Sequence, residues 1–107
     1  MSQINWKERA EHMNFNGQAF INGQRVDAVS GATFECISPC DGRKLADVAR
    51  CDKADVDVAV KVAREAFEDG RWAHLSPRKR KEILIRFADL IVQSKSELAL
   101  TETLDMG

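Results

Sequence analysis

TFECISPCDGRKLADVARCDKADVDVAVKVAREAFEDG, residues 33–70, changes its hydrophobic period once, and that change sets the fold class. Thr33 to Ile37 and Lys44 to Ala49 are β-prone runs on either side of Ser38-Pro39-Cys40-Asp41-Gly42. The intervening residues have turn chemistry: Pro39 confines Ser38 to extended geometry, and aspartate and glycine tolerate conformations that reverse a chain. The spacing predicts a β-hairpin. From Asp52 the apolar residues recur instead at intervals of three and four, so that Val56, Ala59, Val60, Ala63 and Phe67 mark one helical face. Asp52 supplies the N-cap, Asp55 a favourable negative charge in the first turn, and Gly70 the stop.

Upstream, Asn22-Gly23 lies between Phe20-Ile21 and Gln24-Arg25-Val26. A type I′ turn needs positive φ at both central residues, so a first hairpin is expected there. Before it, Ile4, Trp6, Ala10 and Met13 are spaced as a short amphipathic helix ending ahead of the turn signal Asn16-Gly17. Downstream, Ser76-Pro77 opens another helix, with serine as N-cap, proline at the first helical position, and Ile83, Leu84, Phe87, Leu90 and Ile91 as its expected buried stripe. Ser94 with Glu97 reads as a capping box for a third, carried by Leu98, Leu100 and Leu104 and closed by Gly107 at C′. The expected fold class is α+β: a helix or extension over 1–19, two β-hairpins over 20–50 and three helices over 51–107. Isolated two-stranded ribbons are marginal in water and leave edges to be covered, so something is expected to be missing from this architecture.

The 107 residues carry 16 basic and 17 acidic side chains, a formal charge of −1, which draws the chain to neither nucleic acid nor an anionic membrane. No apolar run approaches the roughly 20 residues of a membrane-spanning helix, and charges occupy the N-terminal stretch where a signal peptide would be apolar. A cytoplasmic protein is expected. Cys36, Cys40 and Cys51 are an odd number without a secretory signal, and are expected to be free thiols.

Arg78-Lys79-Arg80-Lys81 places positive charge at a helix start, where the macrodipole disfavours cations. A basic recognition helix is one reading, but no second basic patch or aromatic platform supports phosphate or base contacts; a solvated helix face is expected, with no nucleic-acid partner. Cys36 and Cys40 straddle a turn, Cys51 is distant, and His12 and His74 lack a neighbouring ligand, so zinc is not expected. No cysteine has the electropositive setting and positioned base of a nucleophile, which leaves small apolar roles. Phosphate cradles of the G-x-G-x-x-G or G-x-x-x-x-G-K-S/T kind are absent.

F-I-N-G-Q-R-V (20–26), T-F-E-C-I-S-P-C-D-G-R-K-L-A-D-V-A (33–49), D-V-D-V-A-V-K-V-A-R-E-A-F (55–67), S-P-R-K-R-K-E-I-L (76–84) and E-L-A-L-T-E-T-L-D-M-G (97–107) follow one another in an order and spacing that resemble the beginning of an NAD(P)-dependent aldehyde dehydrogenase. G-R-W (70–72) and L-A-L-x-E-T-L-D-M-G (98–107) most resemble the branch acting on γ-glutamyl-γ-aminobutyraldehyde and related aminoaldehydes in polyamine breakdown. The resemblance implies the front part of an α/β Rossmann-like cofactor-binding domain. It further implies oxidation of an aldehyde substrate to its carboxylate with NAD or NADP by an intact homodimer or homotetramer.

In this family the L-D-x-G stretch normally continues into lysine, proline and a helix lining the substrate tunnel, so the chain is expected to be an N-terminal piece truncated after Gly107 and inactive alone. The family nucleophile lies in a G-Q-x-C context. Here Gly17-Gln18 and Gly23-Gln24 lead to Phe20 and Val26, and the cysteines follow Glu35, Pro39 and Arg50. The resemblance therefore assigns no catalytic and no cofactor-binding residue. It does imply a monovalent cation, K+ or Na+, held by the main-chain carbonyls of Cys36 and Ile37 and by Asp105; hard cations prefer such oxygen ligands. The simpler role for Asp105 is to solvate or cap the chain near a helix end. The alternative function is a small binding or scaffold module derived from the same front end.

Overall fold

The computed structural model of the protein describes residues 3–107. Asn5 caps a short helix, α1 (Trp6–Glu11), its side chain accepting the Glu8 N–H at 3.1 Å. Met13, expected on this helix, lies past its end. The Asn16-Gly17 signal is not a left-handed turn, because Gly17 lacks a positive φ. Gly17 serves close approach instead: a Cβ there would run into the Asp47 carbonyl and lie 2.9 Å from Val48 Cα. That approach lets the Gly17 carbonyl accept the Ala49 N–H at 2.7 Å, laying this segment along the second hairpin.

The first hairpin forms as expected. β1 (Ala19–Ile21) and β2 (Gln24–Val26) are antiparallel, with Ala19 opposite Val26, and the turn holds Asn22 at φ 55° and Gly23 at φ 75°. β3 (Thr33–Ile37) and β4 (Lys44–Ala49) form the second, with Thr33 opposite Ala49. Its register slips near the turn: Cys36 pairs with Ala46 but Ile37 with Lys44, which makes Leu45 the extra residue of a β-bulge. The turn closes on buried Ser38, whose N–H donates to the Arg43 carbonyl at 2.8 Å while its Oγ accepts from the Cys40 N–H at 3.2 Å.

Three helices follow: α2 (Lys53–Glu68), α3 (Pro77–Gln93) and α4 (Lys95–Met106). Gly70 at φ 77° follows the α2 C-cap, and Ser76 caps α3 by accepting the Lys79 N–H at 3.2 Å. At the start of α2, Asp55 does more than place a charge in the first turn. Its Oδ2 accepts the Asp52 N–H at 3.0 Å, completing a capping box, and its Oδ1 accepts the Val29 N–H at 2.8 Å from the loop between the hairpins. Asp55 is only 5% exposed. The Asp52 N–H first, and the Val29 N–H next, hold its carboxyl below the usual carboxylate range.

Other expectations of the helices fail. Ser94 and Glu97 form no capping box: Ser94 sits at φ −96°, ψ 11°, already terminates α3 with its N–H, and its side chain makes no cap bond to α4. A serine shared between two helices lacks the extended backbone that aims an N-cap oxygen at the next turn. The α3 stripe is also not buried, since Ile83, Leu84, Phe87, Leu90 and Ile91 are 40–60% exposed. On α2 the half-buried residues are Ala59, Val62 and Ala66, whereas Val56, Val60, Ala63 and Phe67 face outward. Two small ribbons offer too little surface to cover both helices, so Ala28 and Leu100 are the buried apolar residues among those described. The molecule is a slab of 46 × 43 × 17 Å with a radius of gyration of 17.8 Å, against about 13 Å for a compact chain of this length. No described helix is long and apolar enough to cross a membrane.

Three substitutions in the full-length protein report on these joints. Gly17→Ala should destabilise by roughly 1–3 kcal/mol, as overpacking does, because the Asp47 backbone must move; thermal unfolding measures it. Asp52→Ala should cost about 1 kcal/mol as a lost cap. Asp55→Asn should lower Tm further, since an amide offers one acceptor oxygen to two N–H donors. Because the folded carboxyl titrates below its unfolded value, its contribution is full above the ordinary carboxylate range and is lost as pH falls through the folded value. The Tm gap between wild type and Asp55→Asn should therefore close in acid.

Candidate functional site

The C-terminal end of α4 lies against the turn end of the second hairpin. Gly107, at φ 93°, packs so near Pro39 that an added Cβ would be 3.0 Å from the proline Cγ. Two residues before Gly107, Asp105 Oδ1 accepts from the Cys36 thiol at 3.6 Å. A groove of about 350 Å³ opens between the two elements, lined among others by Phe15, Cys36, Leu45, Thr101, Glu102 and Asp105.

Of the three residues expected to form a cation site, the fold thus brings Cys36 and Asp105 together. Ile37 is next along the strand, at the register slip, and its side chain is exposed. The slip leaves Leu45 of β4 as the unpaired residue opposite this end of β3, where Cys36 and Ile37 keep their partners Ala46 and Lys44. Asp105 is the penultimate residue of α4, so its carboxylate lies at the negative end of the helix dipole. Among the described residues no lysine, arginine or histidine forms an ion pair with it, because the nearby cations are engaged elsewhere. Lys44 pairs with Asp47 at 3.0 Å; Arg43 reaches Asp41 at 3.8 Å and donates to the Ala10 carbonyl at 3.1 Å, at the end of α1. The groove wall carries the Glu102 and Asp105 carboxylates, the Thr101 hydroxyl and the Cys36 thiol beside apolar Phe15, Leu45 and Val48. No three His, Cys, Asp or Glu side chains converge as a metal cluster among the described residues.

Cys36, Cys40 and Cys51 are all free thiols. Partial burial, followed by the hydrogen bond and charge of Asp105, pushes the Cys36 thiol up; burial and then Asp55 and Asp52 do the same to Cys51. Both settings disfavour the thiolate that nucleophilic catalysis needs. The basic start of α3 is solvent-exposed, and Glu82 lies 3.7 Å from Arg78 and 4.0 Å from Lys79. Sequence reasoning missed three contacts. The Asp52-x-x-Asp55 spacing could have revealed the reciprocal cap, but nothing local pairs Asp55 with Val29 or the Cys36 thiol with Asp105. Alkylation at neutral pH, followed by peptide mass spectrometry, should modify exposed Cys40 several-fold faster than Cys36, and Asp105→Asn should narrow the difference.

The sequence profile described as "Aldehyde dehydrogenase family" matches residues 26–107. An aminoacetaldehyde dehydrogenase of Pseudomonas aeruginosa is 43% identical over 107 residues, which is 100% of this chain and 22% of that protein. Among solved structures, an indole-3-acetaldehyde dehydrogenase of P. syringae in complex with NAD+ superposes with a TM-score of 0.94 at 55% identity, covering 96% of this chain and 21% of that one. A γ-glutamyl-γ-aminobutyraldehyde dehydrogenase from Burkholderia cenocepacia gives 0.91 at 50% identity, over 94% of this chain and 20% of that one. The chain spans about a fifth or less of the length of the curated relatives it matches.

Proposed function

The chain belongs to the aldehyde dehydrogenase family, and we propose that the full-length protein oxidises an aldehyde, in the first instance γ-glutamyl-γ-aminobutyraldehyde or a related aminoaldehyde, to its carboxylate with NAD+ or NADP+. The observation that carries this reading is the superposition of almost the whole chain, at half or more sequence identity, on enzymes that act on aldehydes. The aminoaldehyde preference rests on the G-R-W and L-A-L-x-E-T-L-D-M-G stretches together with the aminoaldehydes for which two relatives are named.

These residues do not themselves fit a dinucleotide. Gly23, Gly31, Gly42, Gly70 and Gly107 sit in turns, loops and helix ends with positive φ, Gly17 is taken up by contact with β4, and no strand leads into a glycine-rich helix start. Residues 1–107 are thus the front of a cofactor-binding domain, inactive alone, in a protein that works as a homodimer or homotetramer. Free, exposed thiols at Cys40 and Cys51 accord with a cytoplasmic location. The basic start of α3 is a solvated surface without a nucleic-acid partner.

The carbonyls of Cys36 and Ile37 with the Asp105 carboxylate form a monovalent-cation site for K+ or Na+. The donor chemistry fits, since a carboxylate without a cationic partner at a helix C-terminus faces a strand whose ladder is interrupted. The rival reading, a binding or scaffold module, has no observation in its favour.

The full-length protein should reduce NAD+ with γ-glutamyl-γ-aminobutyraldehyde, followed at 340 nm, while purified 1–107 should produce no NADH. A higher kcat/KM for indole-3-acetaldehyde would overturn the aminoaldehyde assignment, and NADH formation by 1–107 would overturn its inactivity.

A further inference from the structure

We propose that the Cys36 side chain, and not only its carbonyl, is a positioning group for this cation site: its S–H holds the Asp105 carboxylate against the second hairpin. The inference rests on the cation reading given above and adds a residue role to it. Asp105 is exposed on the last turn of α4, where the free carbonyls of the helix end repel an anion and favour rotamers directed to solvent. Turning it toward β3 requires a donor. Among the described residues that donor is the Cys36 thiol, 3.6 Å from Oδ1. Lysine or arginine in its place would neutralise the carboxylate and exclude a cation. A thiol is a weak, uncharged donor: it orients one oxygen, leaves the remaining lone pairs of the carboxylate open, and keeps the full negative charge. The position of Cys36 suits the task, because its thiol and its carbonyl belong to the same residue. Whatever fixes Asp105 to the thiol therefore also fixes the distance between the carboxylate and the main chain at the register slip.

The test is the thermal stability of the full-length protein titrated with KCl against tetramethylammonium chloride at constant ionic strength. Wild type should gain Tm specifically with K+, and Asp105→Ala should abolish the gain. Cys36→Val keeps the bulk and the carbonyl but removes the donor; it should raise the half-maximal K+ concentration by roughly 2- to 10-fold, the worth of one modest hydrogen bond, and Cys36→Ser should restore it. Cys36→Ala replaces the valine variant if that does not fold. A merely structural role would lower Tm equally in both salts without moving the half-maximal K+ concentration, and that result overturns the inference while leaving the cation site standing. A wild type indifferent to K+, or an Asp105→Ala variant that keeps the gain, overturns both.

Discussion

One carboxylate, that of Asp55, joins the β part of the chain to its helical part. It accepts from the loop between the hairpins through Val29 and from the first residue of the α2 cap through Asp52, and it is buried while doing so. A buried anion is tolerable only when its oxygens are filled by donors, and here two main-chain N–H groups do this without an opposing charge. This bond pair ties the start of α2 to the loop between the hairpins.

Beyond it the structure is held by strip-like contacts. Gly17 lies against the Asp47 backbone, α1 is tied to the second hairpin through Arg43 and the Ala10 carbonyl, and α4 meets the hairpin turn at Pro39 and Cys36. None of these seams encloses a core. The long helices present Val60, Phe67, Leu84 and Phe87 to the outside of a slab 17 Å thick. A helix apolar on its exposed side is expected to meet another surface. Relatives that share this fold at a TM-score above 0.9 are about five times as long as the matched part, so most of the surface in their fold comes from elsewhere in their chains.

The groove at the end of α4 sets the Asp105 carboxylate beside the Cys36 thiol at the end of the second hairpin. A helix C-terminus exposes carbonyl oxygens, and the Asp105 carboxylate beside them adds to the negative potential there. The basic residues of the neighbouring turn do not cancel it, since Arg43 and Lys44 are drawn to Asp41, Ala10 and Asp47. Partial burial, and then the hydrogen bond and charge of Asp105, make Cys36 a poor nucleophile.

The elements of this protein were legible in its sequence because each depends on neighbours a few residues away. Asn22-Gly23 specifies its turn through backbone φ, the switch of period at Asp52 separates strand from helix, and Ser76-Pro77 and Gly70 mark helix ends by local hydrogen bonding. The three residues of the proposed cation site come from family resemblance, since no local rule joins Cys36 and Ile37 to Asp105. Tertiary structure alone decided the rest: that Gly17 is needed for contact, that Ser94 terminates one helix instead of capping the next, that Asp55 reaches Val29, and that the α3 stripe stays uncovered. Periodicity reports which side chains gain by leaving water, but the free energy is realised only where the folded chain brings up a surface. Which surface arrives depends on contacts between residues far apart in sequence.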